Sequence, residues 1–325
     1  MAKDMIVRGG RESVIRRRGG PTAGRSDLGE RTRRGMVWLA LALAPLAAAP
    51  EPAAAASGRV SIQSGGITRT AVLIEHRRLK QARRSLIIVL RGNLSKGQRL
   101  KRGFAFAEMA RSAGSVLVYP DPVGGRWSAG TGADAARDAT FIRDLIARLV
   151  SDANVDRRKV FIVGKGSGGF AAIRSACDDA SLFAGVALLD AAAPADPASS
   201  CKPSRPLPLI MVVGPARTGG AAALPDGKTN IVSADPTLAI FAKAAGCGEG
   251  RSSTPLPGRD AHDARAYVEK LNGCKVPVEL VRVEGGGHSA AGRSGAGAEV
   301  APRGPHYKEV GTARIVWDFF RRLGA

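Results

Sequence analysis

The chain has 325 residues, of which 44% are hydrophobic and 24% are charged, and its formal net charge is +21. The hydrophobic content is enough for a large core, which excludes an intrinsically disordered chain and favours one α/β domain over two small ones. Aromatic residues make up only 5% and form no cluster with arginine, so the charge indicates a solvated basic surface or contact with an anionic envelope polymer, and no specific nucleic-acid binding is expected.

Residues 1–57 are predicted to be a leader that export removes. Residues 1–34 are rich in arginine and glycine, residues 36–49 are an apolar run, and residues 50–57 are mainly alanine and proline. This order is typical of a secretory signal, and the apolar run is too short to span a membrane. Arg33 and Arg34 resemble a twin-arginine signal, but a general secretory signal needs only positive charge, so both routes stay open. We expect cleavage after one of residues 54–56 and a periplasmic or extracellular protein without a membrane span.

Residues 58–325 predict strands that alternate with helices. The expected strands are a hairpin at 59–75 and single strands at 85–90, 116–119, 160–163, 186–189, 207–213 and 276–283. The expected helices are 104–112, 134–150, 170–177, 236–245 and 311–323. Continuous apolar strands separated by helices are typical of a parallel sheet that is covered on both sides. We therefore predict one domain with a doubly wound, mostly parallel sheet and helices on both faces.

A glycine-rich turn lies between the strand at 160–163 and the helix at 170–177. Its residues are Gly164, Lys165, Gly166, Ser167, Gly168 and Gly169. Strand, glycine-rich turn and helix in this order form the context of the G-x-S-x-G nucleophile elbow. The residue between the two flanking glycines is Gly166, which adopts the strained apex conformation easily but carries no hydroxyl. An elbow centred on Ser167 is the alternative, although it would put Lys165 where the tight turn needs glycine.

Four cysteines are expected to form two disulfides. They are Cys177, Cys201, Cys247 and Cys274. Paired cysteines fit an oxidising compartment. The chain has no CxxC pair and no group of histidines at the spacing of metal ligands, so we expect no metal and no cofactor. Of the three connectivities we prefer Cys177 with Cys201 and Cys247 with Cys274, because these pairs close the shortest loops. Four free thiols remain the alternative.

Several short motifs occur in a fixed order along residues 58–324. They are Leu90-Arg91-Gly92, Val118-Tyr119-Pro120-Asp121, Trp127, the glycine-rich turn, the strand at 183–187, the helix at 241–247, and the closing strand at 278–281 before Gly285-Gly286-Gly287-His288. This ordered set resembles the secreted α/β-hydrolases related to polyhydroxybutyrate depolymerases and feruloyl esterases. The resemblance implies the α/β-hydrolase fold and a carboxylic-ester hydrolase ancestry without a cofactor.

The same resemblance assigns the catalytic positions, and at most of them this chain has a residue that cannot perform the catalytic role. The family uses a Ser, Asp and His triad together with backbone donors for the oxyanion. Here the histidine position is His288, the nucleophile position is Gly166, and Arg217 occupies the place of the acid. We therefore expect a pseudoenzyme in which His288 is a relic. The alternative is an active serine esterase that uses Ser167 and His288 with another acid, of which Asp226 is a remote candidate.

Three cations map to the mouth of the predicted sheet. They are Arg91, Lys165 and Arg217. Together with the helix N-terminus after the turn, they would bind an anionic group. The hypothesis is that this mouth binds a carboxylate or phosphate of an envelope ligand without turnover. The alternatives are neutral drift, with the cations in solvent, and a wall-associated protein that acts through its charge alone.

Overall fold

The computed structural model describes residues 56–75, 83–91, 106–107, 113–129, 132–193, 201–214, 222–223, 230–231, 234–256, 265–284 and 311–325. All of them belong to one unit, Glu51–Ala325. Residues 1–55 of the predicted leader, Arg217 and His288 lie outside the described residues, whereas residues 56 and 57 are described and are extended. Of the predicted helix at 104–112, only residues 106–107 are described, and they are helical.

Twelve strands are described. In chain order they are β1 (Ala56–Ser64), β2 (Ile67–Glu75), β3 (Arg84–Leu90), β4 (Val116–Pro120), β5 (Val155–Lys165), β6 (Gly185–Leu189), β7 (Leu209–Val213), β8 (Ala222–Ala223), β9 (Asn230–Ile231), β10 (Arg251–Pro255), β11 (Ala266–Leu271) and β12 (Val278–Val283). Strands β8 and β9 form a pair of their own, and the other ten form one sheet in the order β1-β2-β4-β3-β5-β6-β7-β12-β11-β10.

The centre of the ten-stranded sheet is parallel and its edges are antiparallel. The strands from β4 to β12 in the sheet order run parallel, whereas β1, β2, β10 and β11 pair antiparallel with their neighbours. Every residue of β3, β4, β6 and β7 is buried. Continuous apolar sequence produces such strands because both of their faces are covered by helices.

Apart from the helical residues 106–107, the described part of the chain contains four α-helices that cover the sheet. They are α1 (Ala133–Asp152), α2 (Ser167–Asp178), α3 (Ala234–Ala245) and α4 (Thr312–Arg322). The buried residues of α1, α2 and α3 join one core cluster, and those of α4 join Phe106 in the cluster on the other face. The predicted mostly parallel sheet with helices on both faces is therefore confirmed. Within the described part of the chain, no helix is long and apolar enough to cross a membrane.

Two features of the sheet were not predicted. The β10–β11 hairpin was missed because β10 is exposed along its whole length and carries no apolar alternation. Strand β5 begins at Val155, whereas the sequence predicted a strand only at 160–163. The early part was missed because residues 156–159 are all charged and interrupt the apolar pattern.

Two disulfides tie the ends of helices to later parts of the chain. Cys177 at the end of α2 is bonded to Cys201, and Cys247 just after α3 is bonded to Cys274 between β11 and β12. These are the two pairs that the sequence analysis preferred. Among the described residues there is no free cysteine.

Candidate functional site

The elbow edge, defined as the carboxyl ends of β3, β4, β5, β6 and β7, contains the predicted nucleophile position. Strand β5 turns into α2 at Gly166, whose φ of 52° and ψ of −122° are a conformation that residues with a Cβ rarely adopt. The N–H of Gly166 donates to the Leu189 carbonyl at 3.1 Å, and its carbonyl accepts from the Gly169 N–H at 2.9 Å. Gly166 therefore forms the apex of a strand–turn–helix elbow beside the end of β6.

The glycines around the apex allow α2 to pack closely on the sheet. A Cβ on Gly164 would lie 2.6 Å from the Gly169 Cα, a distance that real Cβ atoms do not show. A Cβ on Gly168 would overlap the Leu90 carbonyl oxygen. Glycine is therefore required two residues before and two residues after residue 166, which is the pattern of an elbow centred on Gly166.

Ser167 is the first residue of α2 and follows the apex directly. Its Oγ is fully buried and has no hydrogen-bond partner among the described residues. A serine nucleophile has to reach both its substrate and a general base. In this conformation the Ser167 hydroxyl is shielded from solvent, so it is not presented as an elbow nucleophile.

Two of the three predicted cations are described, and each has a carboxylate in its electrostatic surroundings. Burial lowers the pKa of Arg91, while Tyr119 and Asp121 act in the opposite direction. Burial also lowers the pKa of Lys165, and the charge of Asp190 opposes this effect. The described part of the elbow edge thus combines two cations with two carboxylates, and its net charge is smaller than the sequence suggested.

Asp190 is a candidate site residue that the sequence analysis missed. It follows β6, is buried, and has a φ of 46°, which is uncommon for a residue other than glycine. Its N–H donates to the Val212 carbonyl at 2.9 Å, and its Oδ1 accepts from the Gly214 N–H at 3.4 Å. The available signal was an aspartate placed directly after an apolar strand, at the edge where parallel strands end.

The Tyr119 side chain supplies a buried polar group at the end of β4. Its hydroxyl has no hydrogen-bond partner among the described residues, and the residue is only 6% exposed. The Arg91 guanidinium lies 5.1 Å from the centroid of the Tyr119 ring. Burial raises the pKa of Tyr119 to about 12, although Arg91 acts against this. The hydroxyl is therefore protonated at neutral pH and can donate a hydrogen bond.

A buried ion pair holds the segment that follows β4. The Arg69 Nη2 lies 2.9 Å from the Asp138 Oδ1, and both side chains are almost fully buried. The other carboxylate oxygen of Asp138 accepts from the Ser128 N–H at 3.1 Å. The Trp127 Nε1 donates to the Arg91 carbonyl at 3.0 Å. The segment is thus tied to α1 on one side and to the end of β3 on the other.

Comparison with known proteins links the chain to esterases. No protein-family model matches it. It is 27% identical over 230 residues to NocK of Nocardia uniformis subsp. tsuyamanensis, a protein provisionally named an esterase, and this alignment covers 64% of the chain and 66% of NocK. It is 28% identical over 200 residues to feruloyl esterase B of Piromyces equi, covering 58% of the chain and 36% of that enzyme. The chain therefore spans just under two thirds of one relative and about one third of the other.

A solved structure supports the fold. Prolyl oligopeptidase B from Galerina marginata has a TM-score of 0.53 and 13% identity to the chain, covering 83% of it and 37% of the oligopeptidase chain. At this identity the similarity concerns the fold alone. The chain has the α/β-hydrolase fold and esterases among its relatives, as the resemblance of its motifs implied.

Proposed function

We propose that this protein is an exported esterase relative that does not hydrolyse esters. The observation that carries the proposal is Gly166, which keeps the conformation of an elbow apex and has no hydroxyl. In the well-studied protease case, loss of the serine nucleophile alone lowers kcat about a million-fold. A glycine at this position therefore removes nearly all of the rate, whatever the other positions of the triad contain.

The proposed role of the elbow edge is to bind a small molecule through its carboxylate or phosphate group. The Gly169 N–H donates to the Gly166 carbonyl, but an α-helix leaves its other first N–H groups without a partner in the helix, and the helix dipole favours negative charge there. Arg91 and Lys165 add positive charge, which the nearby Asp121 and Asp190 carboxylates partly offset. Because Gly166 has no side chain, the apex itself contributes no side-chain atoms that would obstruct the anion.

Export is part of the proposal. The two disulfides support it, because disulfides persist mainly in oxidising compartments. The order of charged, apolar and small residues over residues 1–57 supports it from the sequence. The mature protein is then expected in the periplasm or outside the cell, and N-terminal sequencing should find cleavage after one of residues 54–56.

The second candidate function is ester hydrolysis that uses Ser167 and His288. Two observations favour it: the relatives are named esterases, and no other described residue forms a hydrogen bond with the Ser167 hydroxyl. Asp190, at the end of the strand next to β5, would then be the candidate acid. This mechanism requires the first turn of α2 to move, because the Ser167 Oγ is buried in the present conformation.

Hydrolysis of short-chain p-nitrophenyl esters separates the two candidates. We expect the purified protein, Ser167→Ala and His288→Ala to hydrolyse no faster than the buffer. Ser252→Ala, on the exposed strand β10, is the matched control. Turnover that Ser167→Ala and His288→Ala abolish and Ser252→Ala preserves would establish the serine esterase and end the proposal.

Calorimetric titration with phosphate and with a monomeric uronate tests the anion site. We expect binding that Arg91→Gln and Lys165→Met each weaken by about tenfold, the typical worth of a hydrogen bond to a charged group. Lys243→Met, on the exposed face of α3, removes the same charge elsewhere and should change nothing. Absence of heat with both anions, or equal weakening by Lys243→Met, would remove this part of the proposal.

A further inference from the structure

Strand β5 contains a bulge before it enters the core. Arg84 of β3 pairs with Val155, and Leu86 pairs with Val160, so residues 156–159 lie opposite Ser85 alone. A bulge with so many extra residues pushes the strand out of the ladder. It lies at the amino end of β5, whereas Gly166 follows the carboxyl end, so the two features are at opposite edges of the sheet.

The bulge turns its carboxylate inward and its cations outward. Asp156 is buried, and its Oδ1 accepts a hydrogen bond from the Arg158 N–H at 3.0 Å. The Arg158 Nε also approaches the same oxygen at 3.3 Å, yet 86% of the Arg158 side chain is exposed. Arg157 is exposed, and Lys159 is half-buried. The Asp156 side chain thus fixes the shape of the bulge while the basic groups remain accessible.

Arg83 extends the positive charge beyond the bulge. It is exposed and directly precedes Arg84, whose N–H donates to the Asn154 carbonyl at 3.0 Å. The pKa of Asp156 is lowered mainly by the hydrogen bond from the Arg158 backbone, and Arg83 also contributes through its charge. Within the described part of the chain, none of Arg83, Arg157 and Lys159 takes part in an ion pair. This segment therefore carries four cations and one carboxylate, Asp156, which is bonded to Arg158.

We propose that this basic bulge, defined as Arg83, Arg157, Arg158 and Lys159, binds an anionic polysaccharide through its repeated carboxylate groups. A cluster of accessible cations attracts a polymer that carries several negative charges, and the binding energy is mainly electrostatic. The site is separate from the elbow edge, so it does not depend on whether the protein hydrolyses esters.

The placement of the described aromatic side chains favours a polysaccharide over a single-stranded nucleic acid. Proteins that bind single strands use aromatic side chains as stacking platforms. Among the described residues every aromatic side chain is buried except Tyr267, which is half-buried on β11 near the far edge of the sheet. The two disulfides also indicate an oxidising compartment, away from the cytosol and the nucleus, where disulfides are rare.

The test is calorimetric titration of the full chain with polygalacturonate at several salt concentrations, with dextran as the neutral polymer. The bulge variant is Arg157→Gln with Lys159→Gln. The matched control is Lys243→Gln with Lys270→Gln, which removes the same charge from exposed positions on α3 and β11. We expect the bulge variant to bind polygalacturonate at least about tenfold more weakly than the parent. The slope of log K against log salt concentration should fall by up to about two, and the control should bind like the parent.

Three outcomes would overturn the proposal. Equal weakening of both double variants would show that overall charge, and not the basic bulge, attracts the polymer. Absence of polygalacturonate binding by the parent would exclude the site. Tighter binding of a single-stranded oligonucleotide at the same salt, lost in the bulge variant, would identify nucleic acid as the ligand. Lys165→Met at the elbow edge should leave polygalacturonate binding unchanged, which separates this result from the anion test above.

Discussion

At the residue scale, glycine at position 166 lacks the nucleophilic hydroxyl and also avoids the backbone strain of the elbow apex. Its φ of 52° and ψ of −122° would cost a residue with a Cβ about 1–3 kcal/mol. A serine at this position would destabilise the fold by that amount but would supply a nucleophile. With glycine the elbow keeps its shape without the cost, so loss of the hydroxyl need not loosen the fold.

Returning the hydroxyl by Gly166→Ser should restore a small part of esterase activity. In the protease case, loss of serine lowers kcat about 2 × 10⁶-fold and loss of the acid lowers it about 3 × 10⁴-fold, so serine without an acid recovers at most about 100-fold. We expect p-nitrophenyl acetate hydrolysis up to that amount above the parent. His288→Ala in the Gly166→Ser background should remove the gain; a gain that survives this second change would show that His288 is not the base.

Tyr119 should make the fold sensitive to alkaline pH. Its pKa of about 12 in the folded protein lies above the ordinary value of 10, so its contribution to stability is complete below pH 10 and is lost as pH rises towards 12. The full loss is about 2–3 kcal/mol, by the conversion of a pKa difference to free energy. We expect urea unfolding of Tyr119→Phe to lack this loss, whereas Tyr267→Phe should lose stability like the parent. Identical alkaline behaviour of Tyr119→Phe and the parent would contradict the assignment.

At the element scale, the contact between α2 and the sheet depends on glycine. Helix α2 approaches β3 so closely that Gly168 faces the Leu90 carbonyl oxygen, and it approaches the segment after β6 so closely that Gly169 faces the Ala191 side chain. The first contact sets the position of the helix N-terminus against the end of β3. Any group that the α2 N–H donors bind is therefore held at a set distance from Arg91.

Gly168→Ala should destabilise the protein, because a methyl group there meets backbone that cannot move independently of β3. Overpacking of this kind costs about 1–3 kcal/mol, and we expect the upper end of that range in urea unfolding. Gly248→Ala is the matched control, since a Cβ there would make only an ordinary contact of 3.8 Å. Equal stability of the two variants would show that the α2 contact adapts.

An element could be predicted from the sequence when its own residues carry a recognisable pattern of apolar residues or glycines. The central strands are short apolar runs, and the turn around Gly166 has glycines at fixed spacing, so both were accessible. The bulge at 156–159 and strand β10 were not, because their side chains are charged or exposed and their pairing is decided by neighbouring strands. The carboxylates beside Arg91 and Lys165 were missed because they come from other strand ends, which meet only in the folded sheet.

At the scale of the whole molecule, the two disulfides secure the half of the domain that contains α2, α3 and β7. Each closes a short loop, with sequence separations of 24 and 27 residues. The chain-entropy account gives about 3 kcal/mol for loops of this size. A reduced form of the protein would therefore be distinctly less stable than the disulfide-bonded form.

Replacing Cys247 and Cys274 together by alanine should lower the unfolding free energy by about 3 kcal/mol, because the unfolded chain regains the freedom of the loop. Urea unfolding under non-reducing conditions measures this loss. Reductant should then lower the stability of the variant further, through Cys177 and Cys201, and lower that of the parent by the sum of both effects. A variant as stable as the parent would contradict the contribution of this bond.

Strand β10 decides how the ten-stranded sheet ends. It is exposed along its length, and an open strand edge is normally a template on which a second molecule adds a strand. Pro255 has no N–H and therefore cannot donate to an added strand. The Arg251 Nη1 lies 3.1 Å from the Asp235 Oδ1 and 2.7 Å from the Glu269 Oε2, so a charged side chain is held in place beside the other backbone donors of β10. The hairpin that sequence failed to predict thus protects this edge against polymerisation and aggregation.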